Sequence, residues 1–121
     1  MKVRWFSDQF ILMAQVTILD SVAITIARYQ NVFGNNKYGD PEINWPSIGG
    51  VNIEKTQEFI EGMQKALEIA KDMSRYVGTY EVIYDICGLQ KSRMVAANEP
   101  NQIKNNHFFR DTKILSIRRV R

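Results

Sequence analysis

One cysteine, one histidine and three prolines among 121 residues leave little material for several common kinds of site. The lone Cys87 can form no internal disulfide. The opening residues, Met1-Lys2-Val3-Arg4-Trp5-Phe6-Ser7-Asp8, show no small-residue cleavage site. Together these predict a reducing, cytoplasmic setting. A single histidine, His107, excludes a two-histidine metal site and the HExxH motif. Cys87 and His107 could in principle form a nucleophile–base pair, but neither lies in a nucleophile context. A cysteine beside the turn residue Gly88 reads as a small packed side chain. Walker loops, GxGxxG and calcium-binding loops are missing. The segment Gly34–Asp40 offers polar oxygens without the alternating acids that calcium needs. None of the thirteen acids stands in an apolar strand context that would raise its pKa. No catalytic residue, metal or cofactor is therefore expected, and the chain reads as a binding protein.

Long hydrophobic runs are also lacking. Phe10 to Ala27 is the longest candidate, yet Asp20 sits inside it with Gln15, Thr17, Ser21 and Thr25 around it. A central Asp costs about 2.5–3.5 kcal/mol in a spanning helix. The β-branched residues Ile11, Val16, Thr17, Ile18, Val22, Ile24, Thr25 and Ile26 favour strands instead. No membrane span is expected.

What is present is ordinary globular material, 45% hydrophobic and 24% charged, in a length suited to one domain. The net charge of +3 is mild, but it is unevenly spread. From Lys104 onward the basic residues are Lys104, Arg110, Lys113, Arg118, Arg119 and Arg121, against Asp111 alone. From Glu54 to Asp72 acids outnumber bases. A basic end of this kind suits an anionic partner, and it also fits a solvated terminal strand.

Period-two alternation places strands around Val16–Ile18 and Val22–Ala27, with Asp20-Ser21 as the turn. Asn31–Pro41 reads as a loop, and Ile43-Asn44-Trp45 before Pro46 reads as an edge strand. A long amphipathic helix follows, with Asn52 as N-cap and Glu54 in the first turn. Its predicted core face is Ile60, Met63, Leu67 and Ala70, flanked by Phe59, Ala66 and Met73. Gly62 costs that helix about 1 kcal/mol relative to Ala and would let a strand or a second subunit come close. Tyr80–Ile86, a Cys87-Gly88 turn and Arg93–Ala97 suggest a hairpin. A short helix capped by Asn98 comes next, with Ile103, Phe108 and Phe109 toward the core. In the closing strand Ile114–Val120, Leu115 and Ile117 are predicted to share one face. The expected fold is α+β, an antiparallel sheet packed against one long helix, with a C-terminal hairpin, short helix and return strand. It is read as a single domain with a strand-rich half and helix (residues 1–77) and a hairpin-helix-strand half (78–121).

Basic and aromatic residues alternate along the predicted strands, as in Arg4-Trp5, Arg28-Tyr29 and Lys37-Tyr38, and Arg118, Arg119 and Arg121 close the chain. Cations neutralise phosphates and aromatic faces stack on bases, so this pattern suits single-stranded nucleic acid. The candidate binding residues are Arg4, Trp5, Arg28, Tyr29, Lys37, Arg118, Arg119 and Arg121. Strand aromatics also serve as core anchors, and the pattern is compatible with that role.

Two resemblances bear on function. Ile24-Thr25-Ile26-Ala27-Arg28-Tyr29, followed by Gly50-Val51-Asn52-Ile53 entering a helix with Phe59 near its start, resembles the PC4-like single-stranded-DNA-binding proteins. That likeness runs from Val16 to Met73 and implies strands leading into an amphipathic helix. Ile43-Asn44-Trp45-Pro46-Ser47-Ile48-Gly49-Gly50-Val51 before the helix is similar to small accessory proteins of phages and mobile elements. That group includes anti-defence inhibitors, which bind a host defence protein such as a CRISPR nuclease or sequester a nucleotide signal. The leading expectation is a phage- or mobile-element-type protein that engages nucleic acid. The alternative is an inhibitor of a host defence protein or a binder of a nucleotide ligand. A homodimer is expected as well, through an edge strand or through the helix face around Gly62, Phe59, Met63 and Ala66.

Overall fold

A computed structural model spanning residues 1–121 shows an α+β chain built on two antiparallel sheets. The first contains β1 (Lys2–Trp5), β2 (Ile11–Ile18), β3 (Val22–Tyr29) and β4 (Glu42–Asn44), in that order across the sheet. Its helix, α1 (Ile53–Met73), covers one face. The second sheet is ordered β6-β5-β7, from β5 (Gly78–Ile86), β6 (Leu89–Ala97) and β7 (Lys113–Arg119). A short helix, α2 (Pro100–Lys104), and a single 3-10 turn (His107–Phe109) lie between β6 and β7.

Alternation along β2 turns Leu12, Ala14, Val16 and Ile18 toward α1, where Ile24 and Ile26 of β3 join them. The N-cap is as predicted, since Asn52 Oδ1 accepts a hydrogen bond from the Lys55 amide at 2.8 Å. Of the predicted helix face, Ala66 and Met73 are core residues and Phe59, Met63 and Ala70 pack against that core, but the centre of the buried stripe is shifted. Gly62, Ala66, Ile69 and Met73 face the sheet, whereas Ile60 and Leu67 stand exposed. Gly62 is a point of close approach between α1 and β2. A Cβ there would meet Ile18 Cγ2 at 2.4 Å. The strand that comes close to Gly62 is thus the chain's own β2. Nor are β2 and β3 edges, because β1 and β4 flank them. The surfaces read as docking sites for a second copy are used within the chain itself.

The β2–β3 turn holds Leu19 and Asp20 at positive φ (46° and 69°), and Glu58 of α1 secures it by accepting from the Leu19 amide at 2.9 Å. The β5–β6 hairpin turns on two residues, Cys87 and Gly88, at φ 52° and 81°. Positive φ at both central positions is what a type I′ hairpin requires, and glycine supplies one without strain.

The second core gathers Tyr80, Val82, Tyr84, Val95, Ala97, Ile103 and Phe109. Phe108 remains 44% exposed, so only the second of the paired phenylalanines is a core residue. β7 also departs from simple alternation. A bulge opposite Ile83 and Tyr84 leaves Leu115 as the extra residue, so Ile114 and Ile117 both pack inward while Leu115 is exposed. Asn98 does not cap α2, whose N-cap is Glu99. Its Nδ2 donates instead to the carbonyls of Arg75 (3.0 Å) and Tyr76 (2.8 Å), joining the two halves. Further ties run from the Ala96 amide to the Asp8 carbonyl at 2.8 Å and from Asn106 Nδ2 to the Ser7 carbonyl at 2.7 Å. No helix is long and apolar enough to cross a membrane.

Candidate anion-binding surfaces

Adjacent residues of a strand point to opposite faces. This separates the basic–aromatic pairs that look contiguous in the sequence. In β1, Arg4 sits opposite Gln15 on the face away from α1, while Trp5 sits opposite Ala14 and packs against the first core. In β3, Tyr29 is exposed at the strand end, whereas Arg28 turns toward the end of α1. There the Arg28 Nη1 donates to the carbonyls of Met73 and Arg75, and its Nε donates to that of Gly39. A guanidinium on the last carbonyls of a helix satisfies orphan acceptors and complements the dipole. Most of its donors are thereby committed to holding the fold.

The basic C-terminal strand divides as well. Arg118 pairs across the strands with Glu81 at 3.0 Å, so an acid does stand beside it. The sequence hides this partner because it lies 37 positions away. Arg119 lies over the Tyr76 ring, 4.8 Å from its centre, and donates from Nε to the Arg121 carbonyl at 2.9 Å. Arg121 lines a cleft between the halves.

Two concave surfaces are each lined by several cations. The first is an open recess of about 300 Å³ where Lys2 and Arg4 of β1 meet Lys104, His107 and Arg110. Asn105 and Asn106 complete its wall, and neither an acid nor an apolar residue lines it. Asn106 assembles this recess. It bridges to Trp5 along the backbone, donates to Ser7, and caps the 3-10 turn by accepting from the Phe108 amide at 2.9 Å. His107 then packs against Phe6, with ring centres 5.1 Å apart and the rings tilted by 37°. None of Lys2, Arg4, Lys104 or Arg110 takes part in any of the three ion pairs of the protein, which are Lys65–Glu68, Arg75–Asp72 and Arg118–Glu81. Of the sequence candidates only Arg4 belongs here. The signal for Lys104 and Arg110 was the basic run itself, and nothing local shows that it folds back beside β1.

The second surface is a cleft of about 440 Å³ where the end of β3 and the following loop meet the start of β5 and the end of β7. It brings together three sequence candidates, Arg28, Lys37 and Arg121, with Tyr38 and Tyr76 as aromatic walls. The Tyr38 hydroxyl donates to the Gln9 carbonyl at 2.8 Å. Burial, reinforced by the negative charge of Asp8 and opposed by Arg28 and Arg121, raises its pKa from 10.0 to about 12. The folded value lies above the unfolded one, so the contribution of this phenol to stability is complete below pH 10.0 and is lost as the pH climbs toward about 12. Tyr38→Phe, which cannot titrate, is expected to show a shallower loss of stability across that window. Urea unfolding at several alkaline pH values checks this, and parallel curves for the two proteins would count against it.

Cys87 lies exposed in the β5–β6 turn, on a different element from His107. Comparison with protein families, curated proteins and solved structures gives no match.

Proposed function

We propose that this chain is a non-catalytic binding protein that holds single-stranded nucleic acid by its phosphate backbone in the recess of Lys2, Arg4, Lys104 and Arg110. The observation that carries the reading is the lack of any acid lining that recess, which leaves four cations without carboxylate partners. Mutual repulsion of such a group is relieved when an anionic polymer displaces its counterions. Exposed rings favour an unpaired strand over a duplex. Phe10 and Tyr29 lie at the same end of the β2–β3 pair, and Phe33 of the following loop is fully exposed. Unpaired bases can stack on such faces, whereas paired bases cannot. The resemblance to PC4-like proteins points the same way.

Fluorescence anisotropy with a labelled oligonucleotide at increasing salt tests the reading. With four phosphates neutralised, log affinity is expected to fall by about 2.8 per tenfold rise in salt. Arg4→Ala with Arg110→Ala should reduce that slope by about 1.4. Absence of binding to any oligonucleotide at low salt would overturn the proposal and leave the protein-partner alternative of the phage-type resemblance.

A further inference from the structure

We infer that the cleft between the two halves is a second, separate binding site whose ligand is a mononucleotide. Three observations carry this. The volume, about 440 Å³, lies in the range of small-molecule sites. The lining holds three basic residues and no Asp or Glu, and the side chains of Lys37 and Arg121 enter no ion pair and no hydrogen bond within the protein. The third observation concerns the aromatic wall. Tyr76 is 68% exposed, and Arg119 lies over its ring at 4.8 Å, with the Tyr76 carbonyl held by Asn98 at 2.8 Å. One ring face is therefore backed by a cation while the ring as a whole remains open. A bare phosphate would use the cations and ignore the ring. A nucleotide uses both, with the phosphate between Lys37 and Arg121 and the base against Tyr76. Arg28 adds positive charge from behind without spending a free donor, because carbonyls hold its Nε and Nη1.

The site draws Lys37 from the first half and Arg121 from the second, so it exists only when the halves are docked. It shares no lining residue with the recess of Lys2 and Arg4. The two proposals therefore stand or fall separately.

Titration calorimetry of the full chain with each of the four 5′-nucleoside monophosphates provides the test, with inorganic phosphate and the uncharged nucleosides as comparisons. The expected result is one-to-one binding of at least one nucleotide, with phosphate and nucleoside each weaker by about tenfold or more. Tyr76→Ala should weaken the nucleotide about tenfold, as loss of one stacking contact does. Lys37→Ala with Arg121→Ala should abolish the heat while circular dichroism stays unchanged. Arg4→Ala with Arg110→Ala should leave nucleotide binding intact and affect only the oligonucleotide. Three results would each overturn the inference: no heat with any nucleotide at millimolar concentration, equal affinity for phosphate and nucleotide, or undiminished binding by the Lys37/Arg121 variant.

Discussion

Gly62→Val is expected to destabilise the protein by about 3 kcal/mol, the upper part of the range for overpacking a core. Helix propensity alone predicts the opposite sign, because glycine is a poorer helix former than valine. The packing argument prevails because the new Cβ would lie 2.4 Å from Ile18 Cγ2, against a comfortable carbon–carbon contact of about 3.5–4.0 Å. Ile18 is fully buried and β-branched, so its χ1 is restricted and it has little room to turn. Either α1 lifts from β2 or the strand bends, and both loosen contacts with Ala66 and Ile69 on the same helix face. Ile18→Ala removes the opposing methyl. The double variant should therefore be more stable than the sum of the two single losses requires, a coupling that a double-mutant cycle measures directly. Chemical denaturation of the four proteins decides the matter. A Gly62→Val protein as stable as the parent would mean that the helix does not lie this close.

The second large effect is expected at Asn106. Asn106→Ala removes a buried donor to Ser7 and the cap of the 3-10 turn together. A buried hydrogen bond left unmade costs about 1–3 kcal/mol and a lost cap about 1, so the total is about 2–4 kcal/mol. Asn106→Asp keeps the accepting oxygen for Phe108 but sets a buried carboxylate oxygen against the Ser7 carbonyl, so its loss should be at least as large as that of the alanine variant although the cap remains. The alanine variant should also weaken oligonucleotide binding, because Asn106 is what holds His107 and Arg110 beside β1. Urea unfolding and anisotropy on the same preparations provide both readouts. A loss of under half a kcal/mol, with affinity retained, would show that the recess is assembled by other contacts.

The contrast between Asn52 and Asn106 shows which features could be read from the sequence. Asn52 caps a helix whose periodicity lies in the residues that follow it, so a local window contains the whole signal. The partner of Asn106 is Ser7, 99 positions away, and no window contains both. The same divide runs through the rest of the chain. The α+β class, the strand pair around Asp20, the Pro46 strand end and the Cys87-Gly88 turn were all legible, because alternation, turn residues and caps are local properties. The orientation of α1 was legible only in part: Phe59, Met63, Ala66, Ala70 and Met73 do pack on the first core, but Ile60 and Leu67 stand exposed and Ile69 takes the buried place. Leu115 is a similar case, since one extra residue in β7 inverts the alternation and no residue type announces it. For the site, the basic residues were legible as a set but not as a surface. Arg4-Trp5 and Arg28-Tyr29 seemed contiguous until the strand geometry sent their members to opposite faces. Arg118 seemed unpaired until the fold supplied Glu81.

The two cores also set an order of events during synthesis. Every residue of the first buried core lies between Leu12 and Met73, and every residue of the second between Tyr80 and Phe109. A chain growing from its N-terminus can thus close α1 over its sheet before any strand of the second sheet has been made. Until then the carbonyls of Ser7, Asp8 and Tyr76 have only water as a partner, because their protein donors are Asn106, Ala96 and Asn98. The first half therefore waits as a finished layer with a polar seam along one side, and the second half docks onto that seam as it folds.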